Sequence, residues 1–480
     1  MKNGYRPTEP EVLRRVSSFM GFADDRSRCA HLLRRFGLGA SEAEVNFYGD
    51  NGVEAAVDKL LAYESEDEGL SVDVNLLRNE KGNLSPASVG IWWTARLLTT
   101  RRPLQERMTL FWHDHFATSG SKVGAGQLLA QQNETFRKNA VAPFHTILEE
   151  ASKDPAMILW LDNQQNVRGH ANENFAREVM ELFTLGIGNY TEKDVQEGAR
   201  AFTGWSLVRD GGAQGPAEFV FRRARHDPAG KTYLGQSGNF DGDDILAILC
   251  SQPRIATYLT AKIWDWFVWP KPKPETIAPF VARFRASNLD VKSLLRDIMI
   301  SKEFYSEKAQ RAIVKSPVDV CIATSRQLGI GQQLRTNLAT ATDATTLKPA
   351  IAPAAVTYQA MKSMGMWLLY PPDVHGWDNG KAWITSQTMV TRMGWADKLF
   401  GNRPGGQYPA MFLFQTDSTP DGVVHAILSL FDARVTAEHR SILLSAATKS
   451  MGGELTSENA NEVAKQVSTL LFASPEFQLA

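Results

Sequence analysis

Apolar residues recur at helical spacing along nearly the whole 480-residue chain, and polar or glycine punctuation cuts the pattern into short helices. Residues 28–36 end at Gly37-Leu38-Gly39, a helix stop. Ser41 opens the next helix with Glu44 three residues on, so a hydroxyl and a carboxylate each satisfy an orphan backbone N–H. Residues 53–63, 88–99, 103–116, 127–144, 172–185 and 382–400 continue the rhythm, whereas 64–86 and 370–380 read as loops. Alternation appears in residues 219–223 and 231–234, either side of His226-Asp227-Pro228-Ala229-Gly230, and predicts a β-hairpin. The expected architecture is mainly α and multi-helix. Two packed helical subdomains, 1–205 and 241–480, carry one inserted β-hairpin at 206–240.

Composition removes several classes. Hydrophobic residues make up 43% and charged residues 22%, enough apolar surface to build a core, so the chain is not disordered. Lys+Arg (52) and Asp+Glu (53) nearly cancel, so the basic excess that neutralises phosphates is missing and no nucleic acid is expected. Cys29, Cys250 and Cys321 are far apart and form no C-x-x-C pair. No window approaches the ~20 apolar residues of a membrane span. Residues 1–7 lack the apolar stretch of a signal peptide. A cytoplasmic location is expected, with a periplasmic one as the alternative if a leader was removed or the chain is co-exported.

A few segments hold most of the candidate chemistry. Phe111-Trp112-His113-Asp114-His115-Phe116 offers His113 and His115 as candidate ligands of a divalent metal, since neutral imidazole binds such ions well. Two residues apart they do not share a helix face, so the pair needs a helix end or an extended piece to converge. In residues 172–183, Phe175, Val179, Leu182 and Phe183 form an apolar face, with Asn174, Arg177, Glu178 and Glu181 beside it. That polar stripe reads as a buried network, a solvated ion-pair face or a catalytic face. Thr191 and Asp194 cap the next helix, which presents Glu197 and Arg200. Carboxylates brought together across the two helices would raise one pKa, as acid–base chemistry needs. The tip His226-Asp227 with Lys231 groups a base, a carboxylate and a cation. Pro371–Trp377 is a rigid loop carrying an imidazole and an indole. No Walker A loop, G-x-G-x-x-G, G-x-S-x-G or H-E-x-x-H is present.

Together with His31-Leu32-Leu33-Arg34-Arg35-Phe36-Gly37-Leu38-Gly39 and the terminal Ser474-Pro475-Glu476-Phe477, these segments resemble, in order and wording, the bacterial family called domain of unknown function 1800 (DUF1800). The resemblance spans nearly the whole chain. It implies no defined activity. It does imply frequent export and a sulfatase/phosphatase-like companion protein. Asp373 stands where relatives tend to show Asn, and Met366 where a Gln is usual nearby.

Two functions follow as expectations. One is a metal-assisted or carboxylate-driven hydrolase acting on a polar substrate, glycan or phosphorylated. Glu178, Glu181, Glu197, His226 and Asp227 would be its catalytic groups, His31, Arg35, Arg177, Arg200, Lys231 and Trp377 its substrate contacts, and His113 and His115 its metal ligands. The other is a non-catalytic binding or chaperone-like partner of the companion protein. The two are separated by whether these side chains meet around one pocket.

Overall fold

The computed structural model describes residues 22, 24–70, 72–210, 212–401, 410–415 and 417–480. The first seven residues, read above for a leader, lie outside them. The described residues form 23 α-helices and two small two-stranded antiparallel sheets, so the protein is mainly α as expected. None of these helices is long and apolar enough to cross a membrane.

The predicted punctuation operates. Ser41 accepts from the Glu44 N–H, Asn172 from Asn174, and Thr191 forms a capping box with Asp194. The helix 172–185 is shorter than its apolar pattern: it runs Glu173–Glu181. Leu185 and Gly186 N–H groups both return to the Met180 carbonyl, and Gly186 and Gly188 take positive φ, closing the helix end.

The β-segment departs from the expectation. Residues 219–223 do not pair with 231–234. β1 (Trp205–Arg209) pairs with β2 (Ala217–Phe221), and β3 (Lys231–Tyr233) with β4 (Gln236–Gly238). The second hairpin turns on Leu234 (φ 46°) and Gly235 (φ 82°), two adjacent positive-φ residues, as a tight two-residue hairpin of type I′ requires. His226-Asp227 therefore joins two hairpins instead of tipping one.

Two apolar clusters fill the interior. One gathers residues between Cys29 and Ala309, including Trp112, Phe183 and Trp264. The other joins Trp92, Trp93 and Leu129 to residues from Val318 to Phe477. Among the largest fully buried side chains are Trp93, Trp112 and Trp264, and with them the charged Arg35 and Arg392.

Candidate functional site

The helix Pro103–His115 places three successive polar residues on different faces, because consecutive positions differ by about 100°. His113 and His115 therefore point about 200° apart. His113 Nε2 accepts from Asn133 Nδ2 (3.0 Å) between the rings of Trp93 and Phe136. His115 Nε2 lies 3.0 Å from the Phe183 carbonyl and donates to it. Both are buried, and burial, with the Arg137 guanidinium nearby, pushes His113 down to about 3. The two imidazoles do not converge on a common point, which corrects the expectation of a shared metal. Among the described residues no three His, Cys, Asp or Glu side chains form a group that could hold a metal ion.

Asp114, between them, is the part-buried one of the three. Its carboxylate accepts the Trp377 N–H (2.8 Å), and Gly376 packs so closely that a Cβ there would lie 2.4 Å from Asp114 Oδ1. Gly376 takes φ +94°, so the loop needs glycine for both reasons. Desolvation lifts Asp114 to about 6, against the pull of the Trp377 N–H and of the Lys262 ammonium. Lys262, from the helix Pro253–Phe267, is lowered by burial and supported by Asp114. Its amine forms no hydrogen bond or close ion pair among the described residues and sits 5.6 Å from the Tyr258 ring. Tyr258 donates to the Leu182 carbonyl (2.7 Å) and feels Glu181.

The helix Glu173–Glu181 divides its polar stripe. The outer part is a solvated ion-pair face: Arg177 is bidentate to Glu192 (2.9 and 2.7 Å) and also reaches Glu173 (3.3 Å). The inner part is Glu178 and Glu181. Glu181 accepts from the Tyr190 hydroxyl. Glu178 is half-buried and has no side-chain hydrogen-bond or ion-pair partner among the described residues. Burial and the neighbouring Glu181 raise its carboxyl above the usual range, while His375 and Arg177 oppose the shift. His375 is exposed, and its Nδ1–H donates to Asp373 Oδ1 (3.2 Å).

One hydrogen bond, Asp114 to the loop 375–377, and longer-range charge interactions among Glu178, Glu181, His375, Tyr258, Lys262 and Asp114 relate these groups as an electrostatic ring. Of the residues singled out from the sequence, Glu178 and Glu181 belong to it, and Trp377 supports it from behind. The Trp377 indole is buried and donates to the Trp367 carbonyl (3.2 Å), so it plugs the loop onto the core instead of offering a stacking face.

The other candidates are placed elsewhere. Arg200 binds Asp227 and Glu197, both at 2.8 Å, and Lys231 is spent on the Asp227 and Ala229 carbonyls (2.6 and 3.0 Å). Glu197 thus turns to the hairpins and not to Glu178. His226 rests on Thr203 (Nδ1 to the carbonyl, 3.0 Å). His31 is buried against Phe304, with Nε2 on its carbonyl (3.1 Å). Arg35 is buried with one bond, to the Ala309 carbonyl (2.5 Å). The single shared pocket expected for all of them is not formed: the hairpin groups and the His31/Arg35 pair each have their own surroundings.

Sequence reading missed Asp114 and Lys262. Asp114 had a legible signal. A carboxylate in the last turn of a helix opposes the helix dipole and needs a reason to be there. Lys262 had none, since a lysine in an amphipathic helix is ordinary.

The family model described as "Protein of unknown function (DUF1800)" matches residues 31–479. The chain belongs to the DUF1800 family. The match takes in every residue of the ring. No curated protein and no solved structure matches the chain.

Proposed function

We propose that this DUF1800 protein is a carboxylate-driven hydrolase of a polar, anionic substrate, with its active centre at the Asp114–Glu178–Lys262 ring. The observation that carries the reading is Glu178, a half-buried carboxylate with no partner of its own beside a second carboxylate. Such a group is held costly in the free protein and is satisfied when a substrate or water supplies a proton to bind. In this reading Glu178 removes a proton from the attacking water. Asp114, titrating near 6, returns one to the leaving group, so the proton count balances over the turnover. Lys262, a cation without a close ion pair among the described residues, neutralises the substrate's anionic group in place of the arginines Arg177 and Arg200 expected among the substrate contacts.

The test is a panel of chromogenic phosphate, sulfate and glycoside substrates. Glu178→Gln should lower kcat by roughly 10²–10⁴-fold without lowering Tm. Absence of turnover by the wild type on every substrate, or full activity in the variant, would defeat the proposal. One observation favours the companion-protein reading as the second choice. Ile187, 77% exposed, stands on the turn between Glu181 and Tyr190, where a partner would cover it. Ile187→Asp would then abolish a complex that Glu178→Gln leaves intact.

A further inference from the structure

A second cluster lies where His31 and Arg35 were expected to meet substrate, and it has its own chemistry. Arg34, Lys315, Asp319, Thr324, Gln327 and Asp432 line a small cavity of ≈ 20 Å³ between the helices Asp25–Phe36 and Pro317–Gln327. The two carboxylates are already committed. Asp319 is bound by Arg107 (2.6 Å) and by the Ser316 N–H and hydroxyl (2.9 and 2.8 Å). Asp432 is bound by Arg34, and Arg311 approaches it to 3.9 Å while bonding the Leu479 and Asp432 carbonyls.

That leaves a buried lysine with no direct ion pair and buried arginine N–H groups with no partner. Lys315 is 8% exposed and its amine makes no hydrogen bond or ion pair among the described residues; it sits 3.9 Å from the Phe477 ring centre, with the Asp319 and Asp432 carboxylates on the same cavity wall. Arg34 Nε, on the cavity wall, is buried with no partner. Arg35, behind it, has Nε and Nη1 buried with no partner. Buried cations are normally paired, because an uncompensated one is held at a large desolvation cost.

We propose that this cavity binds a small inorganic anion of the halide class. The charge calls for an anion. The volume selects its size, since a single water needs about 10–15 Å³ by the same measure and a tetrahedral oxyanion needs several times that. Lys315 and Arg34 would be its charged ligands, and Gln327 supplies a neutral amide to the same wall; the Thr324 hydroxyl there is already donated to the Val320 carbonyl (2.7 Å). The anion would tie together four stretches of chain: the helix Asp25–Phe36, Lys315 with the helix after it, the turn at Asp432, and, through Lys315, the ring of Phe477. It is a site distinct from the Glu178 centre and does not depend on that reading.

The experiment is thermal unfolding of the full chain in sodium gluconate against sodium chloride and sodium bromide at matched ionic strength. Tm should rise with the halides and saturate, by roughly 2 °C or more. Lys315→Met should erase the halide dependence without lowering Tm in gluconate. Crystals grown with bromide should show an anomalous peak beside Lys315 Nζ, and this measurement decides the matter even if the variant does not fold. A Tm that follows ionic strength whatever the anion, or a cavity without bromide, would mean that water or the main chain at Ala480, which also lines it, meets the charge. Either result would overturn the proposal.

Discussion

Glu106→Gln tests whether His113 belongs to a structural network. Glu106 and Arg137 are an ion pair with side chains 1% and 4% exposed. Arg137 Nε and Nη2 reach the two Glu106 oxygens at 2.5 and 3.2 Å, and Trp93 Nε1 donates to Glu106 at 2.9 Å. Arg137 Nη2 also holds Asn133 (2.6 Å), which in turn donates to His113. With charge centres roughly 4 Å apart, the Coulomb attraction at an effective dielectric of about 20 is about 4 kcal/mol. The glutamine keeps one acceptor but leaves Arg137 charged, buried and short of a counter-ion. Glu134, its remaining partner at 2.9 Å, is half in solvent and supplies under about 1 kcal/mol. The expected loss is about 3–5 kcal/mol at pH 7, read from urea unfolding followed by tryptophan fluorescence. Glu106 is held below the usual carboxylate range by Arg137, so the wild-type advantage is complete above about pH 4.3 and fades as pH falls below it. Glu106→Leu combined with Arg137→Met removes both charges and should recover most of the loss. A single-variant loss under about 1 kcal/mol, or a double variant as unstable as the single one, would refute the reasoning.

Three more predictions follow from the same geometry. Asp114 has a raised folded pKa of about 6, so its charging costs stability as pH rises from about 4 through 6; Asp114→Asn should remove that decline and be the more stable form at pH 8, measured by urea midpoints across pH. Gly376→Ala combines a positive φ with a Cβ 2.4 Å from Asp114 Oδ1, and should cost about 1–3 kcal/mol while raising the rate of amide exchange at Trp377; an unchanged midpoint would contradict the close approach. Burial holds His31, His113 and His115 neutral in the folded state, so their contribution to stability should fall as pH drops below about 6.5, by up to about 1.4 kcal/mol per pH unit for each; a His113→Gln variant whose urea midpoint follows pH as steeply as the wild type's would be inconsistent with a buried neutral imidazole there.

Helix identity was legible because caps and stops are local. Ser41, Asn172 and Thr191 act through bonds to residues two or three positions on. The strand pairing was not, because residues 219–223 carry an alternation that fits either neighbour, and the choice fell to the Leu234-Gly235 turn. Glu178 and Glu181 were found because the helical repeat sets them one turn apart from Asn174 and Arg177. Lys262 and the Asp114–Trp377 bond lie beyond any local rule. His113 and His115 drew attention by residue type, yet helix geometry separates them, and each ring was absorbed by a partner 20 and 68 residues away.

The bond from Trp377 to Asp114 joins positions 263 apart in the chain. During synthesis, at roughly 5–20 residues per second, the carboxylate waits tens of seconds before the loop that seats it has been made. A nascent chain halted between Lys262 and that loop would carry Glu178, Glu181 and Lys262 without the loop that seats Asp114. In the proposed hydrolase the centre is therefore completed late, when the loop that bonds Asp114 is made.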